Sequence, residues 1–170
     1  MMPLKCYLVV RQLDYQFVSM QLMHIEVDQS PRIEETNRPS VVAFSNGIWS
    51  SVYVSAKNKK RLIKLLRVKR KNMKVAKAVL FAVLIYLLVE NIITTKLIVD
   101  IDLEYPGYEG EIKAKLTQLA RKNRKKLLSD QITFRAVGKK SSAHQKAWQT
   151  YRKKLMPKKV LSFEEVEKFL

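Results

Sequence analysis

Twelve consecutive apolar residues, AVLFAVLIYLLV from Ala78 to Val89, stand between Lys77 and Glu90. A bilayer-crossing helix needs roughly 20 apolar residues, so this run is too short to span one. As a helix it has no polar face to offer water. It must be covered by a sheet on one side and by other helices on the rest. That requirement points to a layered α/β chain with one core, and 170 residues suffice to bury one.

Strand patterns lie on both sides of the run. HIEVDQS, His24 to Ser30, is a short β-run, and PRIEETNRPS after it is a polar loop. VVAFS and IWSSVYVSA flank Asn46-Gly47, the strongest two-residue hairpin signal. Next comes a basic stretch, Lys57 to Lys77, with Leu62, Ile63, Leu65 and Leu66 spaced for one helical face, and then the apolar helix. KLIV opens a fourth strand, Glu111 to Asn123 reads as a helix, QITFRAV as a fifth strand and Ser141 to Lys154 as a final basic helix. The expected order is three strands, helix, strand, helix, strand, helix. Residues 1–21 have mixed periodicity and stand as an N-terminal extension, residues 22–155 form the domain, and residues 156–170 are a tail or short helix.

The chain carries 33 Lys and Arg against 15 Asp and Glu, a formal net charge of +18. Such an excess favours a polyanionic partner, nucleic acid before an anionic membrane surface. Between Lys57 and Lys77 there are eleven bases and no acid, which exceeds what a solvated face requires. Lys59, Lys60, Arg61, Arg67, Lys69, Arg70 and Lys71 are the candidate phosphate contacts there, and Arg135, Lys139, Lys140 and Lys146 are candidates nearer the C-terminus. Trp49, Tyr53, Trp148 and Tyr151 could stack on bases or be partly buried core. A membrane-surface helix would use Leu62, Ile63, Leu65 and Leu66, but a core consumes them more simply. A lone cysteine, Cys6, excludes an internal disulfide and a cysteine-based zinc site. No secretory signal is evident, and a reducing, cytoplasmic setting is the expectation.

Against this basic background, VDIDLEYPGYEGE gathers Asp100, Asp102, Glu104, Glu109 and Glu111 within one short segment. In an extended chain Asp100, Asp102 and Glu104 share one face, with Val99, Ile101 and Leu103 on the other. Two readings fit. The acids are a solvated strand face followed by a helix N-terminus, or they hold a divalent cation such as Mg²⁺ or Mn²⁺, which prefer carboxylate ligands.

The strand and helix order, with three short motifs, resembles the ribonuclease H-like superfamily over roughly residues 22 to 155. Asp28-Gln29-Ser30 stands where that family has a first-strand Asp in a D-G-S-like turn. Asp102-Leu103-Glu104-Tyr105 resembles its D-x-x-Y pattern at the end of the fourth strand, and His144 in VGKKSSAHQKA stands near the start of the final helix, where a last ligand belongs. The YPGYE segment also resembles uncharacterised archaeal proteins of similar layout. The resemblance implies a mixed five-stranded sheet and a Mg²⁺- or Mn²⁺-dependent nuclease. Asp28 would bridge two ions, Asp102 would bind one, and His144 would bind the other or assist proton transfer. Asp100 is the substitute ligand if the strand register differs. The bland readings are a turn-forming Asp28 and a capping or solvated His144. The family's Glu on the first long helix has no counterpart, since RKNMKVAKAV offers Asn72 and Lys74 there. That departure leaves open substitution by Asp100 or Glu104, and also a non-catalytic nucleic-acid-binding protein, such as a component of an RNA–protein assembly.

Overall fold

Asn46 and Gly47 turn the chain back on itself, with Gly47 at φ +73°, a left-handed conformation that glycine adopts without a Cβ clash. The computed structural model describes residues 22–70 and 72–170. The proposed N-terminal extension and the candidate contact Lys71 lie outside the described residues. The elements in chain order are β1 (Met23–Ser30), β2 (Ser40–Asn46), β3 (Ile48–Val54), α1 (Ala56–Arg70), α2 (Met73–Val89), β4 (Leu97–Asp102), α3 (Glu109–Lys122), β5 (Ile132–Arg135), α4 (Ser142–Tyr151), β6 (Lys159–Leu161) and α5 (Phe163–Glu167).

They build an α/β domain on one mixed sheet ordered β5-β4-β1-β2-β3-β6. β2 runs antiparallel to β1 and β3, while β4 is parallel to β1 and β5 to β4. The expected five strands are short by one. β6 pairs in parallel with β3, joining Tyr53 to Val160, so residues 156–170 are part of the domain and not a tail outside it. A short helix does follow, and the ring of Phe169 beyond it lies 5.5 Å from that of Tyr86.

Every residue of α2 from Ala78 to Val89 is buried. The helix packs against α1, α3, β2 and β3. The basic stretch Lys57 to Lys77 is divided between two helices. Asn72 caps the second, its side chain accepting from the backbone N–H of Lys74 at 2.9 Å and of Val75 at 3.4 Å. Asn72, one of the two residues the sequence offered in place of a helix Glu, is thus a helix cap. On the sheet's opposite face α4 packs against β1, β2 and β3, with Ala147 buried between Val41 and Ala43.

Candidate metal centre and nucleic-acid interface

The pleat decides which side chains meet. Ile25 and Val27 of β1 and Val99 and Ile101 of β4 enter the α2 core, so Asp28, Asp100 and Asp102 project from the other face, the one that carries α4. β1 and β4 run parallel with Val27 opposite Ile101, and the next residue on each strand is an aspartate. Asp28 and Asp102 therefore stand side by side at the carboxyl ends of adjacent strands. After β4 the chain tightens, the Glu104 N–H donating to the Asp102 carbonyl at 2.7 Å, and this swings the Glu104 carboxylate in beside the aspartates. One oxygen from each of Asp28, Asp102 and Glu104 lies within 4.8 Å of the others, a group that could hold a metal ion.

Three like charges this close, mostly out of water, disfavour full ionisation. Burial and then the nearby Asp102 raise the Asp28 carboxyl, against the opposing pull of the Gln29 N–H and His144. Glu104 is pushed up to about 7, chiefly by burial, with Asp102, Asp28 and Glu34 adding to it and Arg32 opposing. The Arg32 Nε comes to 2.7 Å from Glu104 Oε2, yet no N–H is aligned on that oxygen, and it is buried without a hydrogen bond. A buried carboxylate oxygen held by an ion pair and by no aligned hydrogen bond keeps lone pairs that suit a cation.

The other partners hold the carboxylates in position. His144 Nδ1 lies 2.8 Å from Asp28 Oδ2, the Gln29 N–H donates to Asp28 Oδ1 at 2.5 Å, and the Val137 N–H donates to Asp102 Oδ1 at 2.7 Å. Ser141 caps α4 by accepting from the His144 N–H, which places the imidazole at the start of the helix above β1. Tyr105 packs its ring 5.3 Å from Phe81 of α2 and donates its hydroxyl to Glu34 at 3.2 Å, tying the end of β4 to the loop after β1.

His144 touches Asp28 but stands outside the three-carboxylate group. Asp100 does not join it either. Two residues back on the same face, it is held by His24 Nε2 at 2.5 Å, by Arg135 Nε at 2.7 Å and by the Thr133 hydroxyl. Burial alone would raise its carboxyl, but the Thr133 and His24 hydrogen bonds and the Arg135 charge hold it below the usual range. The third carboxylate is instead Glu104, which the sequence offered as one of the three acids on a single strand face and as a possible replacement for the helix Glu. The signal was its two-residue spacing from Asp102.

Two of the basic candidates are corrected by their surroundings. Lys59 is fully buried, its ammonium donating to Ser40 Oγ at 2.8 Å and the Glu35 carbonyl at 2.9 Å, so it clamps the loop after β1 and cannot reach phosphate. Arg135 bridges Asp100 and Glu26, each at 2.7 Å, so its charge is already neutralised. Arg61 is exposed but lies 3.9 Å over the Phe163 ring, and half-buried Lys146 sits 5.0 Å from the Trp49 ring. Lys60, Arg67, Lys69, Arg70, Lys139 and Lys140 are exposed. Lys139 and His144 line one cavity of about 470 Å³ with Ser30, Gln145, Trp148 and Gln149. Among the described residues no helix is long and apolar enough to cross a membrane. In comparisons with known proteins, no family model, no curated protein and no solved structure matches the chain.

Proposed function

We propose that this protein is a metal-dependent nuclease of ribonuclease H-like fold, which cuts a nucleic-acid phosphodiester with Asp28, Asp102 and Glu104 as the ligands of Mg²⁺ or Mn²⁺. The observation that carries the reading is the convergence of these three carboxylates within 4.8 Å in a chain of net charge +18. Supporting it are the sheet order, which sets parallel β4 beside β1, and the start of α4 at the Asp28 carboxylate. Hard oxygen donors match Mg²⁺ and Mn²⁺, and such ions, when bound, polarise the phosphoryl group and lower the pKa of bound water. Asp28 lies between His144 and Asp102 and would help hold the ion. With Nδ1 of His144 directed at Asp28, Nε2 is the nitrogen available to exchange a proton with a reacting oxygen. Exposed Lys139 and Lys140, in the turn leading to α4, hold phosphate beside the acids.

The second reading, nucleic-acid binding without catalysis, is favoured by the ion pair between Arg32 and Glu104, which offsets part of the acidic charge without a metal. Cleavage of a labelled oligonucleotide in Mn²⁺ separates the two. The nuclease reading expects cleavage that is lost in chelator and in Asp102→Asn, with binding retained or tightened, because one anionic group no longer repels phosphate. Binding with no cleavage in either metal leaves the second reading. Cleavage by Asp102→Asn at the parental rate removes Asp102 from the ligand set.

A further inference from the structure

On α4, His144 is followed at four-residue spacing by Trp148 and then Arg152, so the three succeed one another along one face of the helix and its C-cap. Trp148 is a large apolar side chain left 46% exposed. Its ring lies 5.8 Å from that of Tyr151 and 5.5 Å from the Arg152 guanidinium. It also lines the cavity it shares with His144 and Lys139. Beyond it lies a larger groove, about 770 Å³, lined among others by Tyr53, Thr150, Tyr151, Arg152 and Lys153 and by the exposed apolar side chains Met156 and Val160. Thr150 is 3% exposed and its hydroxyl is buried with no hydrogen-bond partner. Cavity and groove are lined by bases and aromatics and by no acid.

We infer that this face is a track for single-stranded nucleic acid, with an unpaired base stacked on Trp148 and the strand running from the acidic centre at His144 into the groove beside Thr150 and Tyr151. The inference rests on the nuclease reading for its direction and deepens it by naming the substrate as unpaired. Stacking on an exposed indole needs a base whose face is free, which a single strand offers and the interior of a duplex does not. Arg152 and Lys153, with exposed Lys154 next to them, supply the backbone charge that an uncharged peptide would not need. From His144 to Tyr151 the helix rises roughly 10 Å, a reach of about two nucleotides in an extended strand.

The test uses the full chain in chelator, where nothing is cut, with an oligothymidylate of about 12 nucleotides and a blunt duplex of the same length as probes. In a Trp49→Phe background the single strand should quench Trp148 fluorescence and the duplex should not. By anisotropy, Trp148→Ala should bind the single strand about tenfold more weakly with an unchanged salt slope, and Trp148→Phe should recover most of the loss. Equal binding of single strand and duplex, or parental single-strand affinity in Trp148→Ala, would overturn the proposal. Because no metal is present, failure here leaves the carboxylate centre standing. Failure of cleavage in Mn²⁺ would likewise leave the track.

Discussion

His144 Nδ1 and Asp28 Oδ2 lie 2.8 Å apart although 116 residues separate them in the chain. The contact joins the start of α4 to the end of β1 and orients a carboxylate that also faces Asp102 and Glu104. A histidine that hydrogen-bonds a ligand tunes it without replacing it. His144→Gln should therefore lower Mn²⁺ affinity, by roughly 10- to 100-fold, where Asp102→Asn abolishes it. Calorimetric titration of the two variants checks the ranking. Equal losses would make His144 a ligand in its own right.

Glu104 gives the centre a pH signature. Its folded-state value of about 7 stands above the ordinary 4.5, so between those values the folded chain holds a proton that the unfolded chain has released. Stability from this group is full below about pH 4.5 and is lost as pH rises through about 7, and the raised Asp28 carboxyl adds in the same direction. The loss is on the order of 3 kcal/mol. In chelator the unfolding midpoint should fall between pH 5 and about 8, and Glu104→Gln should flatten the fall. Mn²⁺ should flatten it too, because a bound cation favours the ionised carboxylate. A midpoint as pH-dependent in Glu104→Gln as in the parent would show that the glutamate is not its source.

Lys59 predicts a structural defect in place of a binding one. Its ammonium satisfies Ser40 Oγ and the Glu35 carbonyl, and burial pulls its pKa down to about 8 against the opposing charges of Glu35 and Glu34. Lys59→Met removes the donor and leaves those acceptors unsatisfied, costing about 2 kcal/mol in chemical denaturation. Its affinity for nucleic acid in the folded state should equal the parent's. A large loss of affinity with no loss of stability would return Lys59 to the interface.

Features set by local pattern were legible in the sequence, and features set by distant packing were not. Asn46-Gly47 marks the hairpin because only certain residues adopt its backbone, and the alternation through Asp102 marks the polar face because the strand period is two. Parallel pairing of β1 with β4 then brings Asp28 beside Asp102. β6 has only the residues Lys-Val-Leu, too few to show a period, and its pairing partner lies about a hundred residues earlier. Lys59 stands on the apolar stripe, three, four and seven residues before Leu62, Ile63 and Leu66, and Lys60 does not; what the sequence does not show is the loop whose Glu35 carbonyl accepts from the buried ammonium. Asp100 and Asp102 share a face, and what separates a neutralised acid from a member of the carboxylate group is the presence of His24 and Arg135 beside one and Glu104 beside the other.

The exposed end of α1 carries the clearest electrostatic prediction. Arg67, Lys69 and Arg70 stand in its last turn, and all three are exposed. Bases near a helix C-terminus gain from its dipole, and three of them close together also repel one another, so a phosphate backbone relieves the repulsion. Each phosphate neutralised releases counterions, contributing a slope of roughly −0.9 to log affinity against log salt for duplex DNA. The parent should therefore lose affinity by orders of magnitude between roughly 50 and 200 mM salt and show little sequence preference, because lysine and arginine contacts to phosphate carry no base information. Replacing Arg67, Lys69 and Arg70 together by Gln should make the slope shallower by roughly 1 to 3 units. Lys59→Met, which alters a buried charge, should leave it unchanged, and Trp148→Ala should change single-strand affinity without changing the slope. Affinities measured across a salt series separate these cases: a triple variant with the parental slope would show that the end of α1 faces solvent and the phosphates lie elsewhere.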